Sequence, residues 1–311
     1  MRMPSWVRPA GAVVVLGVLV ARFGGAPFVD GVRALDPWLV VLALVLTALA
    51  TLCCAWRWRA VAGALGVVVP LPEAFAACYR SQLLNVALPA GVLGDVDRAV
   101  VLGRRVGRPA RAAGTVLWER GIGLGVQAGL TVLALVLLQS PLLPPVLLVG
   151  LAVGVAALLA LGLARAGGRR VGLGGAVGTV ADDVRRLLAA PGTTLVAGAA
   201  SAGVTACHAV VMAAAVHLTA GDVPVQQLAP LVLVVQLGSA VPTNVGGWGP
   251  REGVAAWAYG ALGLDPVAGI AASVVYGLAA TLAVAPGVAV VLGAAVRGRG
   301  AERHRQGVRV G

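Results

Sequence analysis

Lysine is absent from this chain; all 24 basic residues are arginine. With so much alanine, glycine and valine beside them, a GC-rich coding sequence accounts for that choice, so arginine excess by itself does not indicate nucleic acid. No basic stripe is interleaved with aromatics, which removes the usual nucleic-acid surface. Charge of either sign is scarce, at 12% of residues, about half of what a soluble domain carries. The four cysteines, Cys53, Cys54, Cys78 and Cys207, lie in apolar segments without a C-x-x-C pair. They read as small buried hydrophobes, implying neither disulfide nor metal. H-E-x-x-H and G-x-S-x-G are missing, His208 and His217 read as packing histidines, and no enzyme or cofactor is implied. Asp182 and Asp183, beside Arg185 and Arg186, read as a solvated charged face. No small-x-small cleavage site follows the first apolar run, which is therefore a retained helix.

What remains is apolar. The 311 residues are 59% hydrophobic with a net charge of +12. This predicts an all-α polytopic membrane protein whose arginine-rich loops face the cytoplasm. Spans are expected at about 9–23, 37–56, 113–139, 145–164, 192–217 and 266–296, the last kinked at Pro286. Residues 24–36 read as a polar loop, Arg57-Trp58-Arg59 as an interface anchor, and 176–190 as an interfacial helix. The tail, 297–311, is basic and cytoplasmic. Gly121, Gly125 and Gly129 form GxxxGxxxG, a helix-packing face.

Two apolar segments are broken. Pro89-Ala-Gly-Val-Leu-Gly94-Asp95-Val-Asp97-Arg98 and Pro242-Thr-Asn-Val-Gly-Gly247-Trp-Gly-Pro250-Arg251 both read P-x-x-V-x-G-x-x-x-R. The second is further broken by Gly246 and Gly249. Backbone of this kind is tolerated in a membrane only where protein or a wet cavity surrounds it. Each break is expected to form a re-entrant hairpin, at about 73–98 and 228–264. Placing every arginine cluster in the cytoplasm requires the hairpins to enter from opposite sides. The chain then divides into pseudo-repeats of about 9–139 and 145–296, an inverted-topology repeat within one membrane domain over 1–296, with both termini cytoplasmic.

Helix ends at a hairpin tip favour an anion, and an arginine beyond the break adds a bidentate contact. Arg98 and Arg251 hold that position. Gln82, Asn85, Thr243 and Asn244 supply further hydrogen bonds; Asp95, Asp97 and Glu252 neutralise the arginines when no ligand is present. Glu119 and Arg120 are charged in an apolar stretch, which marks a functional candidate. Each has a structural alternative: Arg98 as the start of the cytoplasmic cluster, Arg251–Glu252 as a hairpin lock, Glu119–Arg120 as a pin, Tyr276 as a space-filler rather than a head-group contact.

The motifs Arg57-Trp58-Arg59, Leu71-Pro72-Glu73-Ala74-Phe75, Asn85 to Pro89, Gly94-Asp95 to Arg98-Ala99 and Leu102-Gly103-Arg104 resemble the transmembrane region of lysylphosphatidylglycerol synthases and related stand-alone flippase-like proteins. Pro242, Gly246-Gly247, Gly249 and Arg251-Glu252 match the second signature of that family, and Glu119-Arg120 its acidic–arginine pair. Tyr276-Gly277 departs from a frequent Tyr-Arg, and Leu93-Gly94 from a doubled glycine. The soluble aminoacyl-transfer domain has no counterpart in these residues. The resemblance implies a lipid transporter of the cytoplasmic membrane that binds a phospholipid or polyprenyl-phosphate head group between the hairpins. A lipid-modifying enzyme, or a non-transporting partner of a synthase or glycosyltransferase, are the other readings. The expected partner is membrane lipid, with a protein partner or second copy left open.

Overall fold

Aspartate followed by proline opens two of the long helices. Asp36 accepts a hydrogen bond from the Trp38 backbone N–H at 2.6 Å, and Asp265 one from Val267 at 2.9 Å. Pro37 and Pro266 then occupy the first helical position, where a missing N–H costs nothing. The computed structural model describes residues 17, 20–21, 24–88, 91–166, 173–240 and 248–290. Among them every regular element is a helix: α1 (Ala26–Arg33), α2 (Pro37–Ala64), α3 (Leu71–Ala87), α4 (Leu93–Val106), α5 (Pro109–Leu137), α6 (Leu143–Ala166), α7 (Leu173–Leu188), α8 (Pro191–Ala220), α9 (Val225–Ser239), α10 (Pro250–Ala261) and α11 (Pro266–Ala283).

Among the described residues, four helices are long and apolar enough to cross a membrane: Pro37–Ala64, Pro109–Leu137, Pro191–Ala220 and Pro266–Val290. The chain is an all-α polytopic membrane protein. Between α2 and α5 lie the short pair α3–α4, and between α8 and α11 the short pair α9–α10. Long, short, short, long therefore occurs twice. Each short pair has its own core. Trp58, Ala74, Cys78, Leu102 and Val116 pack around the first, and Leu231, Val235, Tyr259, Val275 and Ala279 around the second. Helix α2 joins the halves by lying against α8 and α11.

Several boundaries differ from expectation. Helix α2 runs eight residues past 56, because Arg57 and Trp58 are buried in its packed face rather than anchored at an interface. Residues 26–33 are helical, not loop: Phe28 packs with Ala256, Ile270 and Val274 of the second half, and Gly31 lets α1 lie against Val274. The last span turns at Val284–Ala285, immediately before Pro286, whose ring cannot continue the preceding turn. Among the described residues, nothing lies where a Cβ on Gly121, Gly125 or Gly129 would point. The packed glycine of that helix is Gly123, which lies against the Arg57 guanidinium. Most of the expected first span, both proline breaks at Pro89 and Pro242, Thr243, Asn244, Gly246, Gly247 and the arginine tail lie outside the described residues.

Candidate functional site

The first broken segment brings five helices to one ionic cluster. Glu119, on α5, is 1% exposed. Its Oε1 accepts from Nε of Arg57 on α2 at 2.8 Å, and from Nη2 of the same side chain. Its Oε2 accepts from Nη2 of Arg98 on α4 at 2.7 Å. Arg57 Nη1 also donates to Ser201 Oγ on α8 at 3.0 Å. Arg98 continues to Asp95 Oδ1 at 3.3 Å, and Arg120 Nη2 reaches both oxygens of Asp95 at 2.9 and 2.8 Å. From α3, Ser81 donates to Asp95 at 3.0 Å and Asn85 at 3.4 Å. Three guanidiniums thus share two carboxylates, leaving one positive charge in excess.

Local chemistry fixes that arrangement. Asn85 Oδ1 accepts the Gly94 N–H at 2.7 Å, tying the end of α3 to the start of α4. Residue 94 must be glycine: a Cβ there would collide with the Ser81 carbonyl. The Arg98 guanidinium lies 4.5 Å over the Trp58 ring, and Trp58 Nε1 donates to Thr115 at 3.1 Å. Such stacking suits a desolvated arginine better than it would a lysine. Arg98 Nε, buried with the rest of the side chain, has no hydrogen-bond partner among the described residues. Arg98 lines a cavity of about 330 Å3 shared with Trp58, Arg80 and Arg105. Gln82 stands aside from the ions, donating to Thr51 at 3.1 Å.

At the second break the charges balance. Gly249 has φ of 101°, which excludes other L-residues without strain, and its N–H donates to Glu252 Oε2 at 2.6 Å. Glu252 therefore caps α10 from its third position. Its Oε1 accepts from Arg251 Nη2 at 2.7 Å and from Ser273 at 2.9 Å. The Arg251 guanidinium sits 5.3 Å from the Trp248 ring and 5.3 Å from the Tyr276 ring. The Tyr276 hydroxyl and His208 Nδ1 share a hydrogen bond of 3.1 Å. One guanidinium and one carboxylate close on each other here. Gln236, the counterpart of Gln82, is 6% exposed, and its Nε2 has no partner among the described residues.

Arg98 and Arg251 are both buried, but among the described residues no hydrogen bond, ion pair or ring contact joins their clusters. Asp97 pairs with Arg80 at 2.7 Å rather than with Arg98. Asp183 is buried, not solvated, because Arg111 and Trp118 both donate to it; Asp182 is exposed. His217 is exposed beside Asp222, while His208 packs as expected. No group of three or more metal-ligating side chains occurs among the described residues.

A family model described as the lysylphosphatidylglycerol synthase TM region matches residues 5–287. The chain belongs to this family. No curated protein matches it. The glycine at 277, a departure from the family's frequent Tyr-Arg, has a physical reason in this chain. A Cβ at 277 would collide with the Arg251 guanidinium, so Arg251 itself fills the space a larger neighbour would take.

Proposed function

We propose that this chain binds an anionic lipid at the first hairpin and moves its head group across the membrane without altering it chemically. The supporting observation is the charge imbalance around Glu119. The Arg57–Arg98–Arg120 set exceeds its carboxylates by one; Arg57 and Arg98 are buried and Arg120 is about half exposed, so the excess charge lies at the open side of the cluster, where an anion is attracted. A phosphate oxyanion in the cavity that Arg98 lines completes the pairing. The cavity of about 330 Å3 has room for a head-group phosphate together with the rest of a small head group. Membership of a lipid synthase's membrane-region family supports lipid as the class of ligand.

The second hairpin has a different part in this reading. Its arginine is neutralised by Glu252, so it attracts no anion as it stands. It serves as a closed partner against which the first half rocks, in the manner of transporters built from two inverted halves. The cytoplasmic membrane, with both termini inside, is the matching location.

Proteoliposomes with fluorescent phosphatidylglycerol or phosphatidylcholine test this. Phosphatidylglycerol reaches the opposite leaflet faster than phosphatidylcholine, and Arg98→Gln removes the difference. Equal rates for both head groups overturn the reading. A chemically new lipid, found by mass spectrometry after incubation, assigns the protein to enzymes instead.

A further inference from the structure

A second cavity, an open trough of about 860 Å3 apart from the Arg98 cluster, lies between the N-terminal half of α5 and α7. The way α7 is attached creates it. Asp183 accepts from Arg111 and, at 3.0 Å, from Trp118 Nε1, which holds the helices at one place and leaves a trough beside it. Along α5 the trough follows Ala110, Gly114, Leu117 and Gly121. Those spacings put the four residues on one helical face, spanning roughly 16 Å at 1.5 Å per residue. Gly121 keeps the trough open, since among the described residues nothing lies where its Cβ would point, and Leu117 lies along it 72% exposed.

Charge sits at one end only. Arg111 is already paired with Asp183, but Arg108 makes no ion pair among the described residues. The start of α5 has no side-chain cap, so its first free backbone N–H groups lie at that same end. A cation at the head of an apolar trough complements one occupant, a phospholipid with an anionic head group and an acyl chain laid along Leu117 and Gly121. A soluble anion would leave the apolar length empty, and a neutral tail would leave Arg108 unpaired. We propose that this trough is a binding site for a resident anionic phospholipid, separate from the lipid that is moved, and that this lipid seals α7 against α5. The site stands on its own cavity and does not depend on the Arg98 reading.

The test uses the full chain in nanodiscs, with photo-crosslinkable phosphatidylglycerol or phosphatidylcholine, and glycerol phosphate as soluble competitor. Phosphatidylglycerol labels peptides of α5 and α7, equally in wild type and Arg98→Gln. Phosphatidylcholine labels them several-fold less, because its choline cation offsets the phosphate charge that Arg108 attracts. Gly121→Trp with Arg108→Gln lowers this labelling by at least that factor, while phosphatidylglycerol labelling at α4 stays unchanged. Equal labelling by both lipids, competition by glycerol phosphate, or no effect of the double variant each overturn the proposal.

Discussion

Replacing Glu119 by Gln probes the first cluster most sharply. The side chain keeps its shape and both polar atoms, so packing against Arg57 and Arg98 is preserved while the charge is lost. Glu119 is 1% exposed and holds two guanidiniums. Breaking a buried pair from one side costs about 3–5 kcal/mol, because the remaining charges stay buried. At about 2 °C per kcal/mol for a chain of this size, the melting temperature falls by roughly 6–10 °C. The excess of positive charge rises from one to two, so an anionic lipid gains in the variant. If its affinity improves tenfold, saturating lipid restores about 1.4 kcal/mol more than in wild type. Thermal unfolding of purified protein, in detergent with and without phosphatidylglycerol, measures both effects. A variant that melts with wild type refutes the claim that Glu119 neutralises this cluster. A variant that is destabilised but gains no more from phosphatidylglycerol than wild type refutes the anion-binding argument alone.

Other consequences follow from particular contacts. Gly94→Ala pushes a methyl into the Ser81 carbonyl, a backbone atom that cannot swing aside, and lowers stability by about 3 kcal/mol in the same melting assay; a shift under 1 °C contradicts the packing. Asp183→Asn weakens the attachment of α7 and raises protease cleavage between α7 and α8 several-fold, with α2–α5 unaffected; unchanged cleavage contradicts it. In a Cys-free background, a single cysteine at Ala99 reacts with membrane-impermeant reagent from the cytoplasm and one at Trp257 from outside, and same-side labelling contradicts the inverted arrangement.

Breakers and intramembrane charges were the legible part of the sequence. Pro and Gly at both breaks marked the short helix pairs, and Glu119, an acid in an apolar run, marked the centre of the cluster. Arg57 was not legible in the same way, since a Trp-Arg pair near the end of an apolar run has the composition of an interface anchor. The missed signal is the stripe Thr47, Ala50, Thr51, Ala55 and Ala62, small or polar at helical spacing, which puts Arg57 on a packed face. The burial of Asp183 is hidden for a related reason: its neighbours Asp182, Arg185 and Arg186 are exposed, and its partners lie 72 and 65 residues away. Likewise, matched motif positions gave Arg98 and Arg251 equal standing. Their inequality comes from where the carboxylates sit, Glu252 adjacent to one and Glu119 on another helix from the other.

Lipid affinity measured on purified, folded Arg98→Gln, beside an Arg251→Gln/Glu252→Gln double variant that removes a neutral pair, tests the central claim most directly. Fluorescent phosphatidylglycerol, titrated against phosphatidylcholine, provides the readout. The account predicts that Arg98→Gln weakens phosphatidylglycerol binding roughly ten- to a hundred-fold, while the double variant stays within a few-fold of wild type. Unchanged phosphatidylglycerol affinity in Arg98→Gln contradicts it.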